Sequence, residues 1–295
     1  MFIERFIRYL RFEKRYSPHT IIAYQQDLQQ FHAFLKLSEL NFENVMHPHV
    51  RSWMVELMDQ GTEAKTINRK ISTLRSFYKF LLREQLVSNQ PMIRVKAPKI
   101  SKQLPVIVEE QKLNPLLDEP DSEIFPDNFT GMRSRLIIEI LYGTGIRSSE
   151  LINLKEIDIN IYERQIKVLG KRNKERIIPV NVALMKLMIK YLDLKKCQNF
   201  NNNSAFLIVT NEGNVAYPKF IYRIVKSALT HISTHDKKSP HVLRHTFATS
   251  LLNKGAELNA IKELLGHASL AATQVYTHNS VERLKTIYKQ AHPKG

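Results

Sequence analysis

Residues 94–108 interrupt every regular pattern in this chain. Pro98 and Pro105 bracket Lys96, Lys99 and Lys102, and no helical or strand periodicity runs through the stretch. The sequence before it reads as helix alone, and the sequence after it as helix mixed with short strands. A chain of 295 residues with 43% hydrophobic side chains can fill two cores. The expected organisation is a helical domain over residues 1–96, a linker over 97–108 and a mixed α/β domain over 109–295. The prolines stiffen the linker, and its lysines either follow a line of phosphates or only keep a spacer soluble.

Ser17-Pro18 is a helix start, with a hydroxyl at the cap and proline at the first helical position. Tyr24, Leu28, Phe31 and Leu35 follow at spacings of 4, 3 and 4, which is one apolar stripe. A second helix is predicted over residues 63–84, with Ile67, Ile71, Leu74, Tyr78 and Leu81 as its stripe. At 100° per residue, Lys65, Arg69, Ser72 and Ser76 fall on the opposite face. That face is basic and small. It suits either solvent or the backbone of a duplex.

In the second half, residues 133–142 read as a helix ended by Gly143 and Gly145. Pro115, Pro120 and Pro126 mark an irregular stretch ahead of it. Residues 157–159, 166–168 and 176–180 alternate like strands, and the last two are joined by a polar hairpin turn over 170–175. Asn201-Asn202-Asn203-Ser204 is a polar turn, and helices are expected from Val182 onward.

The net charge of +16 points to a polyanionic partner. Residues 1–100 hold 16 basic against 9 acidic side chains and the remainder 28 against 19, so both halves can face nucleic acid. Cys197 is the only cysteine, which excludes an internal disulfide and a thiolate metal cluster. There is no apolar run of membrane-spanning length and no signal-peptide core at the start. A cytoplasmic location is the expectation.

The residues that carry chemistry are few. Arg147 follows Gly143 and Gly145, which permit a tight turn and a close backbone approach, and Glu150 three residues on orients or buffers it. Ser239-Pro240 opens a further helix that places His241 and Arg244 on its first turn, beside the free N–H groups that favour an anion. His241 and His245 also have metal-ligand spacing. No glutamate adjoins His241 and no third ligand is evident, so no metal is expected. Residues 259–265 form a short helix closed by Gly266, with His267 in the turn and Tyr276 nine residues beyond it. Alone, that arrangement would suggest a DNA-reading helix-turn-helix. Arginine forks fit phosphate oxygens, histidine shares protons near neutral pH, and a tyrosine hydroxyl can attack phosphorus.

The runs Thr144-Gly145-Ile146-Arg147-x-x-Glu150-Leu151, His241-x-x-Arg244-His245-Thr246-Phe247-Ala248-Thr249 and Leu264-Leu265-Gly266-His267-x-Ser269-x-x-x-Thr273-x-x-Tyr276 resemble the signature boxes of tyrosine site-specific recombinases, the Xer type above all. The likeness covers nearly the whole chain. It implies a mainly α fold with a small antiparallel sheet. A helical, SAM-like core-binding domain and a catalytic domain would together form a C-shaped clamp on DNA.

It also implies roles. Tyr276 is the nucleophile, Arg147 and Arg244 hold the phosphate, His267 adds a hydrogen bond, and His241 helps take the phenol proton. A lysine of the hairpin protonates the leaving 5′ oxygen. Lys171 is preferred over Lys174 because it directly follows the strand, although Arg172 stands where the family often has glycine. The face of Lys65, Arg69, Ser72 and Ser76, with Lys99 and Lys102 of the linker, would contact DNA. No cofactor or ATP is implied, because the bond energy stays in a 3′-phosphotyrosine.

The implied partners are a double-stranded recombination site and a tetramer on it, either of this chain alone or with a paralogous recombinase; whether an activator must act at the C-terminus is left open by the sequence. Val281, Leu284, Ile287 and Tyr288 would dock on a neighbouring protomer or on their own domain. The implied task is resolution of chromosome dimers, which serves chromosome partition and cell division. Mobile-element integrase, invertase, type IB topoisomerase and non-catalytic DNA-binding factor are the alternatives.

Overall fold

A computed structural model of the chain describes residues 1–100, 106–118, 123–170, 174–200, 204–266 and 288. The chain divides into two compact units, Met1–Gln103 and Leu104–Gly295.

The first unit is helical. α1 (Phe2–Arg8) runs into a π-helical turn (Tyr9–Glu13) and is followed by α2 (Pro18–Leu37), α3 (His47–Asp59) and α4 (Ala64–Arg83). Ser17 caps α2 by accepting the Thr20 N–H, as its sequence signal predicts. The expected stripes of α2 and α4 face each other across a core that includes Phe6, Leu28, Phe31, Leu35, Trp53, Leu74, Phe77 and Leu81. The chain after α4 stays in this unit. Val95 is buried, its carbonyl accepts from Arg75 Nη2 at 2.7 Å, and Pro98 O accepts from Asn68 Nδ2 at 3.0 Å.

The second unit contains α5 (Glu110–Asp118), α6 (Phe129–Thr144), α7 (Ser148–Asn153), α8 (Val182–Lys196), α9 (Pro218–Ile232), α10 (Pro240–Asn253) and α11 (Leu258–Leu265). β1 (Ile159–Asn160), β2 (Gln165–Leu169) and β3 (Glu175–Pro179) form an antiparallel sheet in the order β1-β2-β3, with Ile159 opposite Ile166 and Lys167 opposite Ile177. α6 is buried around nearly its whole circumference, Arg133 and Glu139 included, and touches α8, α9 and α10.

The sequence reading needs four corrections. The stretch around Pro115 is not irregular. α5 contains Pro115 and buries Leu113, Leu116 and Leu117. An interior proline costs ~3 kcal/mol, and three buried leucines gain ~1.5–3 kcal/mol each, so burial wins. Of the first expected strand (157–159) only Ile159 pairs, within β1; Glu156–Asp158 is a 3₁₀ turn, whose preceding Lys155 N–H bonds to the Asp158 carboxylate at 3.0 Å. Gly143 lies within α6, and Gly145 alone ends it. Helix does not run unbroken from Val182, because isolated bridges pair Lys155 with Phe206 and Val209 with Val215. Among the described residues, no helix is long and apolar enough to cross a membrane.

Candidate active site

The site is built around the turn that ends α6. Gly145 takes a left-handed conformation (φ 62°), and its N–H closes the helix on Leu141 O at 3.1 Å. A side chain there is excluded twice over. The backbone favours glycine, and a Cβ would lie 2.4 Å from Phe247 Cδ1 and 2.8 Å from Leu265 Cδ2. Glycine therefore lets α10 and the end of α11 close on this turn.

Arg147 then caps α7. Glu150, at the third position of α7, reaches back to the Arg147 N–H (2.8 Å) and to Arg147 Nη1 (2.8 Å). The expectation that Glu150 orients Arg147 thus has a double hydrogen bond behind it. Glu150 also accepts a bidentate pair from Arg176 on β3, at 3.0 and 2.9 Å, and both side chains are buried.

The carbonyl end of α11 completes the arrangement. An α-helix leaves its last carbonyls without helical partners, and its C-terminus carries negative dipole charge. Here three consecutive carbonyls each take a different arginine. Leu264 O accepts from Arg176 Nε (2.9 Å), Leu265 O from Arg244 Nη2 (2.7 Å) and Gly266 O from Arg147 Nη2 (3.4 Å). Arg244, projecting from α10, also donates through Nη1 to Gly145 O at 2.5 Å. Gly266 is left-handed (φ 63°), and a Cβ on it would approach Arg176 Nη1 to 3.0 Å.

Two guanidiniums thus bond one carboxylate, and with Arg244 interacting electrostatically beside them the cluster carries a net charge of +2. Burial, and next the nearby Arg147, push Arg244 down to about 10, so it stays charged at neutral pH under electrostatic load. Burial alone would raise the Glu150 carboxyl, but the hydrogen bonds and charge of Arg176, with those of Arg147, hold it below the ordinary value. His245, one turn beyond His241, is held below its usual value by partial burial and then by His241 and Arg244. An anion beside Arg147 and Arg244 would offset the repulsion between these two cations.

Of the residues singled out in the sequence, Arg147 and Arg244 come together here. His241 is exposed on the first turn of α10, where Pro240 takes the first position but Ser239 makes no side-chain cap. Among the described residues, no set of three His, Cys, Asp or Glu side chains could hold a metal. Lys171, His267, Ser269 and Tyr276 lie outside the described residues, as do Val281, Leu284 and Ile287. Gly170, which precedes Lys171, donates its N–H to Lys174 O at 2.8 Å, and a Cβ on it would lie 3.8 Å from Glu150 Oε1. Tyr288 is buried in its own unit, with its hydroxyl on Gly143 O at 2.8 Å, so this residue of the expected tail helix packs at home.

On α4, Lys65, Arg69 and Ser72 are exposed and Ser76 is half-buried. Arg69 also bonds to the buried Asp27 of α2, which takes Lys70 (3.1 Å) and Thr73 (2.9 Å) as well. Lys99 is exposed, and Lys102 is outside the described residues. The sequence reading missed three features. Lys79 continues the α4 face by the same period. Arg176 has no partner close in sequence. α9 exposes Lys219, Tyr222, Arg223 and Lys226 and contains no acidic residue, a signal that its sequence carries openly.

Residues 107–283 match the Phage integrase family, and residues 3–85 match its N-terminal SAM-like domain. The chain is 36% identical to a tyrosine recombinase XerC of Chlorobaculum parvum, over 99% of this chain and 94% of that protein. It is 34% identical to a tyrosine recombinase XerD of Staphylococcus haemolyticus, over 99% of both. A solved XerH site-specific recombinase bound to a palindromic difH substrate shares the fold, with TM-score 0.73, 22% identity, and 96% and 82% of the two chains covered. The family match and these relatives define the class as a DNA strand-exchange enzyme. The chain belongs to the phage integrase family and is a Xer-type tyrosine recombinase, an enzyme that cuts and rejoins DNA at specific sites.

Proposed function

We propose that Tyr276 attacks one phosphorus of a DNA strand, so that a Tyr–O–P bond forms and the P–O5′ bond breaks. Arg147 and Arg244 hold the non-bridging oxygens and offset the charge of the pentacoordinate state. His267 adds a hydrogen bond there. His241 helps take the phenol proton, which matters because an unperturbed phenol has a pKa of about 10. Lys171 gives a proton to the departing 5′ oxygen. The resulting 3′-phosphotyrosine keeps the bond energy, and a 5′ hydroxyl from a partner strand reverses the step.

The observation that supports this reading is the buried arginine cluster with its excess positive charge, in which Arg147 remains partly exposed with an Nε not committed to Glu150 or Gly266. The DNA is held by a domain over 1–96, a linker over 97–108 and a catalytic domain over 109–295. Lys65, Arg69, Ser72, Ser76, Lys99 and Lys102 meet its backbone from the first domain and the linker. The acid-free face of α9 meets it from the catalytic domain. Exchange between two duplexes needs four active sites, hence a tetramer with itself or with a paralogue. An activator acting at the C-terminus would govern it. The likeness to XerC and XerD proteins favours chromosome-dimer resolution in the cytoplasm over integration or inversion.

The test is incubation with nicked duplexes carrying candidate sites, followed by a denaturing gel. A covalent adduct that is lost in Tyr276→Phe is the expected result. Tight binding at a footprinted site with no adduct, with paralogue supplied, would overturn the reading in favour of a non-catalytic DNA-binding factor.

A further inference from the structure

Arg176 has no place in the reaction as proposed, yet among the described residues it makes more side-chain hydrogen bonds than either other guanidinium of the cluster. It is 5% exposed and donates from all three nitrogens, to both oxygens of Glu150 and to Leu264 O. It bears on both arginines assigned to the phosphate. Glu150 Oε1 is shared between Arg176 Nη1 (3.0 Å) and Arg147 Nη1 (2.8 Å). The α11 end that Arg176 grips at Leu264 is the same end whose next two carbonyls hold Arg244 and Arg147. The surroundings are shaped to admit it. Gly266 and Gly170 would bring a Cβ to 3.0 and 3.5 Å from its Nη1.

The electrostatic consequence is direct. Glu150 carries one negative charge, and two arginines compete for it. Because Arg176 takes both of its oxygens in a buried bidentate pair, the strongest form of the contact, Arg147 is left with positive charge in excess of what Glu150 demands. Without Arg176 the whole carboxylate charge falls on Arg147 and draws it away from a bound phosphate. The Leu264 anchor disappears at the same time.

We infer that Arg176 is a positioning residue for strand cleavage, one that neutralises Glu150 and fixes the end of α11 so that Arg147 and Arg244 present their charge to the scissile phosphate. This rests on the roles proposed above for those two arginines.

The experiment compares adduct formation by wild type, Arg176→Lys and Arg176→Gln on two nicked sites. One carries an ordinary scissile phosphate. The other carries a methylphosphonate, in which a neutral methyl replaces a charged non-bridging oxygen. If Arg176 serves the charge on phosphate, Arg176→Gln slows the ordinary substrate on the order of 100-fold. The methylphosphonate, which needs less neutralisation, slows by under about tenfold, and Arg176→Lys falls between. The same folded molecules cut both substrates, so the ratio of the two rates does not depend on how much of a variant folds. Equal slowing on both substrates would overturn the inference and leave Arg176 a purely structural residue. A wild-type protein that forms no adduct on either site would instead sink the underlying reading of the reaction.

Discussion

Glu150 decides the character of the site, because one buried carboxylate organises two of the three arginines. Its folded-state pKa is depressed, so its contribution to stability is fully present above the ordinary glutamate value of 4.5 and is lost as pH falls through the lower folded value. Glu150→Gln keeps the shape but leaves Arg176 buried without a counter-charge, a loss of about 3 kcal/mol at neutral pH. In urea unfolding, the gap between wild type and this variant should be the same at pH 7 and pH 5 and should narrow below about pH 4.5. A gap that widens between pH 7 and 5 would show that burial, not Arg176, sets this carboxyl. The sequence showed half of the arrangement. Arg147 and Glu150 are three residues apart and legible as a pair. Arg176 is 26 residues from Glu150 and 88 from Leu264, and only the fold joins them. Arg244 was legible as a cation on a helix start, but its commitment to Gly145 O and Leu265 O was not.

Among the elements, those with a local stop or start signal were readable and those fixed by burial were not. α2 announces itself by Ser17-Pro18, α11 by Gly266, and α4 by an unbroken stripe from Ile67 to Leu81. α5 hides behind Pro115, and residues 156–158 alternate like a strand although an aspartate cap curls them into a turn. The turn between α6 and α7 shows why a glycine signal needs the fold to be weighed. Gly145 and Gly255 are both left-handed, at φ 62° and 82°, but a Cβ on Gly145 meets Phe247 and Leu265 while one on Gly255 meets nothing within 4 Å. Gly255→Ala should therefore cost only backbone strain, ~1 kcal/mol. Gly145→Ala adds overpacking at the junction of α6, α10 and α11, for a total on the order of 3 kcal/mol. Urea midpoints of the two variants give the comparison. Equal losses would mean that the close approach of α10 and α11 does not depend on this glycine.

For the molecule as a whole, the first question is whether each unit is a folding unit in its own right. Met1–Gln103 has its own aromatic and aliphatic core, and the chain after α4 adds buried Val87, Met92 and Val95 to it, with the Arg75–Val95 hydrogen bond as a tie. The family's SAM-like domain matches only residues 3–85. A chain of residues 1–103 should accordingly unfold in one cooperative transition. A chain ending at residue 85 forgoes three buried side chains, on the order of 5 kcal/mol, comparable to the whole stability of a small domain. Circular dichroism melts of the two chains decide this, and equal melting temperatures would show that residues 86–98 merely lie on the unit. The same 1–103 chain tests how charge is shared. Its basic face on α4 should bind duplex DNA, but without the second unit's cations and without the raised effective concentration that a short connection gives. Its affinity should fall more than about tenfold below that of the full chain. The slope of log affinity against log salt should also be shallower, by about 0.9 for each phosphate that the second unit neutralises in the full chain. An unchanged slope would mean that the second unit neutralises no phosphates, contrary to the reading of α9 and the arginine cluster as DNA-facing.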